Sequence, residues 1–330
     1  MRFLLRRTGF YLVALWASVT INFIIPRLMP GDPAQAYLAR MQGQNMSREQ
    51  IQALRVEFGV GSNQSVIAQY FSYLNNILHG NMGISSANFP QPVIRVIWEH
   101  LFWTMGLVGM AVVLSFILGT LLGIVVAWRR GSRLDTTLPP ILVFISAIPY
   151  FWMALGLLYL LGIVLNWFPI EGGYDVFSTV PGLNMDFVFS VIQHSTLPAF
   201  TLVLGALGGW VLPMRNTMVT TLSEDYVLMA QAKGLSERRV MFNYAARNAI
   251  LPSVTSFSIS LGLIVGGSLL TEMVFNYPGI GYTLYNAVIN NDYGLIEGCF
   301  LVIAIAVLLA NFMAELLYTF LDPRVRQGGR

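Results

Sequence analysis

One cysteine, one lysine and three histidines stand in 330 residues, and only 11% of the chain is charged. Each scarcity removes a class of function. A lone cysteine, Cys299, cannot close a disulfide within the chain; it lies in an apolar run, where thiols pack as small hydrophobes. His79, His100 and His194 are scattered and lack metal-ligand spacing. The one lysine, Lys233, precedes a glycine in Ala232-Lys-Gly-Leu235, whereas a phosphate-cradling G-x-x-x-x-G-K-[ST] loop needs lysine after glycine. ATP hydrolysis on this polypeptide is therefore not expected. No H-E-x-x-H pair and no G-x-S-x-G nucleophile elbow occurs. Nucleic-acid binding has no support, because the basic residues fall where membrane topology would put them.

What is present is apolar. Hydrophobic residues make up 55% of the chain and mean hydropathy is +0.64, whereas soluble domains carry roughly 25% charged residues. The class is all-α, a polytopic membrane protein. A helix needs roughly 20 apolar residues to cross the bilayer core, and six segments qualify: about 9–29, 102–128, 137–165, 196–214, 250–271 and 295–320. Pro139-Pro140 is expected in the first turn of the third and Pro149 is expected to kink it. Pro213 and Arg215 are expected to end the fourth. Gly119 with Gly123, and Gly262 with Gly266, have the spacing of close helix packing. Asn311 and Glu315, four apart, share a face of the sixth, where a polar contact between helices is expected. Arg2, Arg6 and Arg7 precede the first apolar run as in a signal peptide, yet no small-x-small cleavage site follows, so the run reads as an uncleaved first span.

Orientation follows from lysine and arginine. With six spans and the N-terminus inside, the cytoplasmic segments hold Arg2, Arg6, Arg7, Arg129, Arg130, Arg133, Arg215, Lys233, Arg238, Arg239, Arg247, Arg324, Arg326 and Arg330. The external segments 166–195 and 272–294 hold no lysine or arginine. Both termini are expected in the cytoplasm. The chain divides into 1–30 (cytoplasmic end and first span), 31–100 (an external loop), 101–321 (the transmembrane core) and 322–330 (a cytoplasmic tail). In the external loop, Ser47 caps a helix-like run from Arg48 to Phe58. A second run, Val66 to Leu78, carries Ile67, Tyr70, Phe71, Leu74 and Ile77 at the spacing of a buried helix face. A small external helical subdomain is expected, touching a partner or the solute.

The most informative stretch is 224–252, a polar and basic island between apolar segments. It reads as a helix, a break at Gly234 and a second helix with Ser236 as its cap and Glu237 in its first turn. Leu251-Pro252 opens the next span. This island resembles the cytoplasmic coupling loop of the permease subunits of ATP-binding-cassette importers, with Ala230, Gly234, Leu251 and Pro252 at the places of that loop's small residue, glycine and closing Leu-Pro. Leu228 and Met229 replace its usual glutamate and first alanine. Pro30-Gly-Asp-Pro33, His79-Gly-Asn-Met-Gly83, Val274-Phe-Asn-Tyr-Pro-Gly-Ile-Gly281 and Leu321-Asp-Pro-Arg324 extend the resemblance to the oligopeptide/dipeptide branch across nearly the whole chain.

The resemblance implies a type I importer-like permease fold. It also implies a second homologous permease subunit, two cytoplasmic ATPases that bind ATP and Mg, and an extracytoplasmic substrate-binding protein, all in a prokaryotic cytoplasmic (inner) membrane and its lipid. No cofactor is expected on this chain. Peptides are the implied solute, with oligosaccharides or nickel complexes as alternatives. Coupling residues carried over are Asp225, Tyr226, Ala230, Ala232, Lys233, Gly234, Leu235 and Arg239 in loop 223–248; a small residue at 230 would let a partner's pocket close over the helix. Ser146, Tyr150 and Trp152 around Pro149, Ser256 and Ser260 in the fifth span, and Glu272 at its end are candidates for the path or its gate. An ion-driven secondary transporter would need mid-membrane carboxylates or an inverted repeat, and mid-membrane acids are nearly absent.

Overall fold

The computed structural model describes residues 2–29, 33–40, 48–58, 65–266 and 268–321. Pro30 to Asp32, Ser47 and the tail 322–330 lie outside them, as do the side chains of 314–321, including Glu315. The described residues are helical apart from turns and one isolated bridge, Ile84 to Pro92. In order come α1 (Arg2–Leu28), α2 (Pro33–Arg40), α3 (Arg48–Glu57), α4 (Val66–Leu78), α5 (Val93–Trp128), α6 (Arg133–Ala147) and α7 (Tyr150–Leu157), which continues as a π-helix, Leu158–Val164. Then follow α8 (Met185–Leu222), α9 (Asp225–Ala232), α10 (Glu237–Arg239), a π-helix Val240–Ala246, α11 (Arg247–Ala249), α12 (Leu251–Leu263), α13 (Leu269–Val274), α14 (Ile280–Ile289) and α15 (Tyr293–Leu321).

Among the described residues four helices are long and apolar enough to cross a membrane, at Arg7–Leu28, Val93–Trp128, Met185–Leu222 and Tyr293–Met313; two bent pairs make six if each is one span. This is an all-α, multi-pass membrane protein. Three sequence expectations change. The third span starts earlier: Ser132 caps α6, its Oγ accepting from Asp135 N at 3.4 Å, and this places Pro139 and Pro140 inside the helix rather than in its first turn. At Pro149 the chain bends by 98°, because a proline that cannot donate to the preceding turn begins α7 afresh. The fourth span does not stop at Pro213. α8 runs through Pro198 and Pro213, and buried Val211, Met214 and Met218 flank the second proline with packing that offsets its lost hydrogen bond. The fifth span is shorter, since α12 passes into a 3-10 turn at Ile264–Gly266, next to the Gly-Gly-Ser run 266–268.

The chain forms two compact units. One comprises Met1–Thr104, Val265–Leu269 and Pro278–Phe312. Its core joins Val93, Val96, Ile97 and Leu101 of α5 to Ile280, Leu284 and Ala287 of α14 and Leu295, Ile296 and Cys299 of α15. Gly298 lets α15 approach Val93, where any Cβ would collide. Buried Asp292 ties the turn after α4 to α15: its carboxylate accepts from Ser85 Oγ (2.5 Å), Ala87 N (2.9 Å) and Leu295 N (3.1 Å). At the other side α1 meets α15, Arg27 Nη1 lying 2.7 Å from Glu297 Oε1 and Asn22 Nδ2 donating to Glu297 O at 2.6 Å.

The other unit comprises Met105–Ile264, Leu270–Tyr277 and Met313–Arg330. Its frame is α8 packed on α5, α6 and α7 through glycines. A Cβ on Gly123 of α5 would lie 2.8 Å from Met214 Cβ and from Val211 O, and one on Gly205 of α8 would lie 2.5 Å from the Tyr150 ring. Gly119 and Gly208 are as tightly placed, against Trp210 and Ser146. In the first unit, by contrast, Gly266 leaves ordinary contact distance to Ile303, 3.8 Å.

Candidate functional site

Segment 223–250 is built around one helix stop. Gly234 has φ +72. Its N–H donates to Gln231 O (2.9 Å) and Leu235 N donates to Ala230 O (3.4 Å). This bond pair is the Schellman cap, in which the C′ residue must adopt the left-handed conformation. Leu235 then turns back onto the apolar cluster beneath. Ser236 takes the extended N-cap conformation before α10, although its side chain makes no capping bond.

The cluster beneath α9 joins Val227, Ala230, Val240, Ala245, Ala246 and Ala249 to Ile124 and Ala127 of α5 and Met214 and Met218 of α8. Ala230 is 2% exposed. This corrects the expectation that a partner's pocket closes over it: the small side chain faces inward and lets α9 seat closely on the spans. The outward face is different. Asp225, Tyr226, Leu228, Met229, Ala232, Lys233 and Gly234 are exposed, as are Arg238 and Arg239, while Leu235 is half-buried. Two polar ties hold the segment and its base. Asn248 Nδ2 donates to Tyr226 Oη (2.8 Å), and Arg215 Nε donates to Asp135 Oδ1 (2.6 Å), joining α8 to α6. The sequence marks Leu228 and Met229 only as departures from the loop pattern, and gives no role to Asp135 or Asn248.

The path candidates fall on separate elements. Ser146 and Tyr150 pack at glycines of α8, and Tyr150 and Trp152 remain exposed. Ser256 is exposed on α12, where Ser260 Oγ donates back to Ser256 O (3.0 Å). Glu272 is fully buried in α13. After α13 the chain turns at Asn276 (φ +46), with Tyr277 N donating to Glu272 O (2.8 Å). Ser195 Oγ and Tyr277 Oη are 3.1 Å apart, and Asn276 Nδ2 donates to Glu171 Oε2 (2.9 Å). Burial pushes the Tyr277 phenol above its ordinary value, against the pull of Ser195. Among the described residues no group of three His, Cys, Asp or Glu is placed to hold a metal ion.

The profile of the binding-protein-dependent transport system inner membrane component matches residues 119–327, and that of the N-terminal part of such components matches residues 1–105. The chain belongs to this family. It is a transport permease, not an enzyme. It is similar to the oligopeptide transport system permease protein AppB of Bacillus subtilis, 31% identical over 98% of both chains. It is also similar to the di/tripeptide transport system permease protein DppB of Pseudomonas aeruginosa, 31% identical over 98% of both. The dipeptide transport system permease protein DppB of Alkalihalophilus pseudofirmus is 30% identical over 98% of both. In this permease the capped segment 223–250 sits among residues matched by the family profile, and its Ala-x-x-x-Gly-Leu pattern is a helix seat followed by a helix stop.

Proposed function

We propose that this permease forms half of the path of a peptide importer, pairing with a second homologous permease. Two cytoplasmic ATPases, which bind ATP and Mg, dock on segment 223–250, and an extracytoplasmic binding protein delivers the peptide. The peptide assignment rests on the names of the relatives. The docking assignment rests on one observation: the stretch 225–239 presents Tyr226, Leu228 and Met229 outward together with exposed Asp225, Lys233, Arg238 and Arg239. Apolar centres with charged rims are what protein interfaces are made of. The absence of lysine and arginine from 166–195 and 272–294 supports placing this segment and both termini in the cytoplasm. Within the docked segment Ala230 and Leu235 seat the lever, Gly234 sets its angle, and Asp225, Tyr226, Ala232, Lys233 and Arg239 meet the partner. Ser146, Tyr150, Trp152, Ser256 and Ser260 are proposed along the path. Burial of Glu272 supports a role in holding the turn at Asn276 rather than in facing solute.

Co-purification tests the docking. Leu228→Asp with Met229→Asp should leave the permease in the membrane but without its ATPases, and should abolish binding-protein-dependent dipeptide uptake. ATPase retention equal to wild type refutes the docking surface. Uptake of an oligosaccharide instead of dipeptide by the wild-type complex refutes the solute.

A further inference from the structure

Helix α4 contains no Asp, Glu, Lys or Arg, whereas the shorter α3 beside it in sequence contains four. At 100° per residue α4 divides cleanly. Gln69, Ser72, Asn75 and Asn76 share one arc, and the apolar residues share the other. Only part of the apolar arc meets protein. Tyr70 and Tyr73 converge on the Phe23 ring of α1 at centroid distances of 5.2 and 5.4 Å. Tyr70 Oη lies 2.7 Å from Thr20 Oγ1, and Asn22 Nδ2 donates to Tyr73 Oη at 3.2 Å. Along its outer edge, Ile67, Phe71 and Leu78 are 69%, 64% and 84% exposed. These three lie within about 40° of one another around the helix. The sequence expectation of a fully buried apolar face is therefore corrected: α4 has no buried residue.

The depth of the contact says what covers this edge. The tyrosines meet α1 between Thr20 and Phe23, and the span of α1 ends at Leu28. Phe23 and Thr20 are five and eight residues inside that end, about 7.5 and 12 Å at 1.5 Å per residue. Helices lying in a membrane interface bury their apolar face to about 5–10 Å. We infer that α4 is an interfacial helix, with Ile67, Phe71 and Leu78 in the acyl-chain boundary and Gln69, Ser72, Asn75 and Asn76 toward the headgroups and water. The tyrosines suit that level, since amphipathic rings concentrate there. An uncharged helix leaves no ion to desolvate on entering it. The continuity is direct, because the outward side chains of α1, among them Ile21, Ile24, Ile25 and Leu28, are exposed at the same level. The occupant is thus phospholipid, and only the polar arc of α4 remains for an aqueous partner such as the binding protein.

The test uses the assembled importer in phospholipid nanodiscs, with Cys299→Ala as background. Nitroxides are placed at Ile67→Cys, Phe71→Cys and Leu78→Cys, and at Ser72→Cys and Asn75→Cys. Power-saturation resonance should find the first three reached severalfold better by oxygen, which partitions into lipid, than by a water-soluble nickel chelate, and the last two the reverse. Chelate access at 71 and 78 equal to that at 75 places the edge in water and overturns the inference. Immobile labels reached by neither reagent place it against protein and overturn it equally. A second reading needs no substitution. Photoreactive phospholipid in the same nanodiscs should label the peptide Val56–Arg95 at Ile67, Phe71 or Leu78, and adducts found on the spans but not on this edge overturn it.

Discussion

Ala230 and Ala232 differ by two positions and by everything else. The first is 2% exposed in an apolar cluster and the second faces outward. Converted one at a time to cysteine over Cys299→Ala, they should differ sharply toward a soluble maleimide in the permease purified without ATPases. For the thiol at 230 to react, α9 must lift off its seat, and lifting exposes Val227, which is fully buried. Returning a buried Val side chain to water costs about 1.5 kcal/mol at the low end of its range. At about 1.4 kcal/mol per tenfold, Ala230→Cys should react at least ~10-fold more slowly than Ala232→Cys. The time course of labelling, read by gel shift or mass, gives the ratio. Equal rates would refute the inward seat of α9 and restore the view that Ala230 itself meets a partner. Adding the ATPases extends the experiment: Ala232→Cys should become protected, while Ala230→Cys should scarcely change.

Further expectations follow from single contacts. Gly234 has open space around its Cβ position but a left-handed backbone. Gly234→Asn should therefore keep peptide-stimulated ATP hydrolysis near wild type. Gly234→Val, facing a strain of about 1–2 kcal/mol or more, should lose it while the subunit still inserts; equal activities would refute the cap. Gly123→Ala drives a methyl to 2.8 Å from a backbone carbonyl and should cost about 1–3 kcal/mol, read as a lower Tm in detergent. Gly156→Ala, with nothing within 4 Å, should be neutral or slightly stabilising. Arg27→Met should lower Tm by leaving Glu297 without its partner, and Arg27→Met with Glu297→Met should recover part of the loss. Asp175 is held below the usual carboxylate range, first by the Ser178 hydroxyl and then by Phe177 N. Its folded value is depressed, so the turn it holds is stabilised above the ordinary carboxylate value and loses that support as pH falls through the depressed one. Amide exchange at 177–179, corrected for its intrinsic pH dependence, should rise at a higher pH in Ser178→Ala.

Much of the fold was legible because bilayer solvent imposes so strong a period and length. The bounds of α4 and the break at Gly234 were each readable from local residues. The cap at Ser132 was a local signal missed, whereas other misreadings were tertiary. Pro213 looks like a stop only until Val211, Met214 and Met218 are seen buried around it. Ala230 looks like an exposed notch because sequence gives its size and not its direction. The Asp135–Arg215 and Arg27–Glu297 pairs join residues 80 and 270 positions apart, and no local pattern announces them. Among the described residues, the motifs at 79–83, 224–252 and 274–281 share one piece of chemistry, which recurs outside them at Asn291. Gly80, Gly234, Asn276 and Asn291 all have positive φ. Each closes a helix with the same bond pair, as in Asn81 N to Asn76 O (2.9 Å), Tyr277 N to Glu272 O (2.8 Å) and Asp292 N to Ala287 O (2.9 Å). Only Gly or Asn enters that conformation cheaply.

The seat of α9 also constrains how the proposed docking could act on the spans. Its cluster contains Ile124 and Ala127 from the end of α5 and Met214 and Met218 from α8. One turn earlier on α5, Gly123 is wedged against Met214 and Val211. A load on the outward face of α9 therefore reaches α5 and α8 through close-packed contacts with no loop between. Packed interiors move between discrete arrangements rather than deform. The seam at Gly119 and Gly123 then becomes the place where coupling is tuned, and a substitution there should be distinguishable from one at the docking face. Gly123→Ala should retain ATPase co-purification and basal hydrolysis while changing peptide stimulation, whereas Leu228→Asp with Met229→Asp should lose the ATPases outright. If Gly123→Ala, folded and assembled, gave wild-type stimulation and uptake, the seam would be scaffold alone and the load would have to travel by α10 and the π-helix Val240–Ala246 into α12.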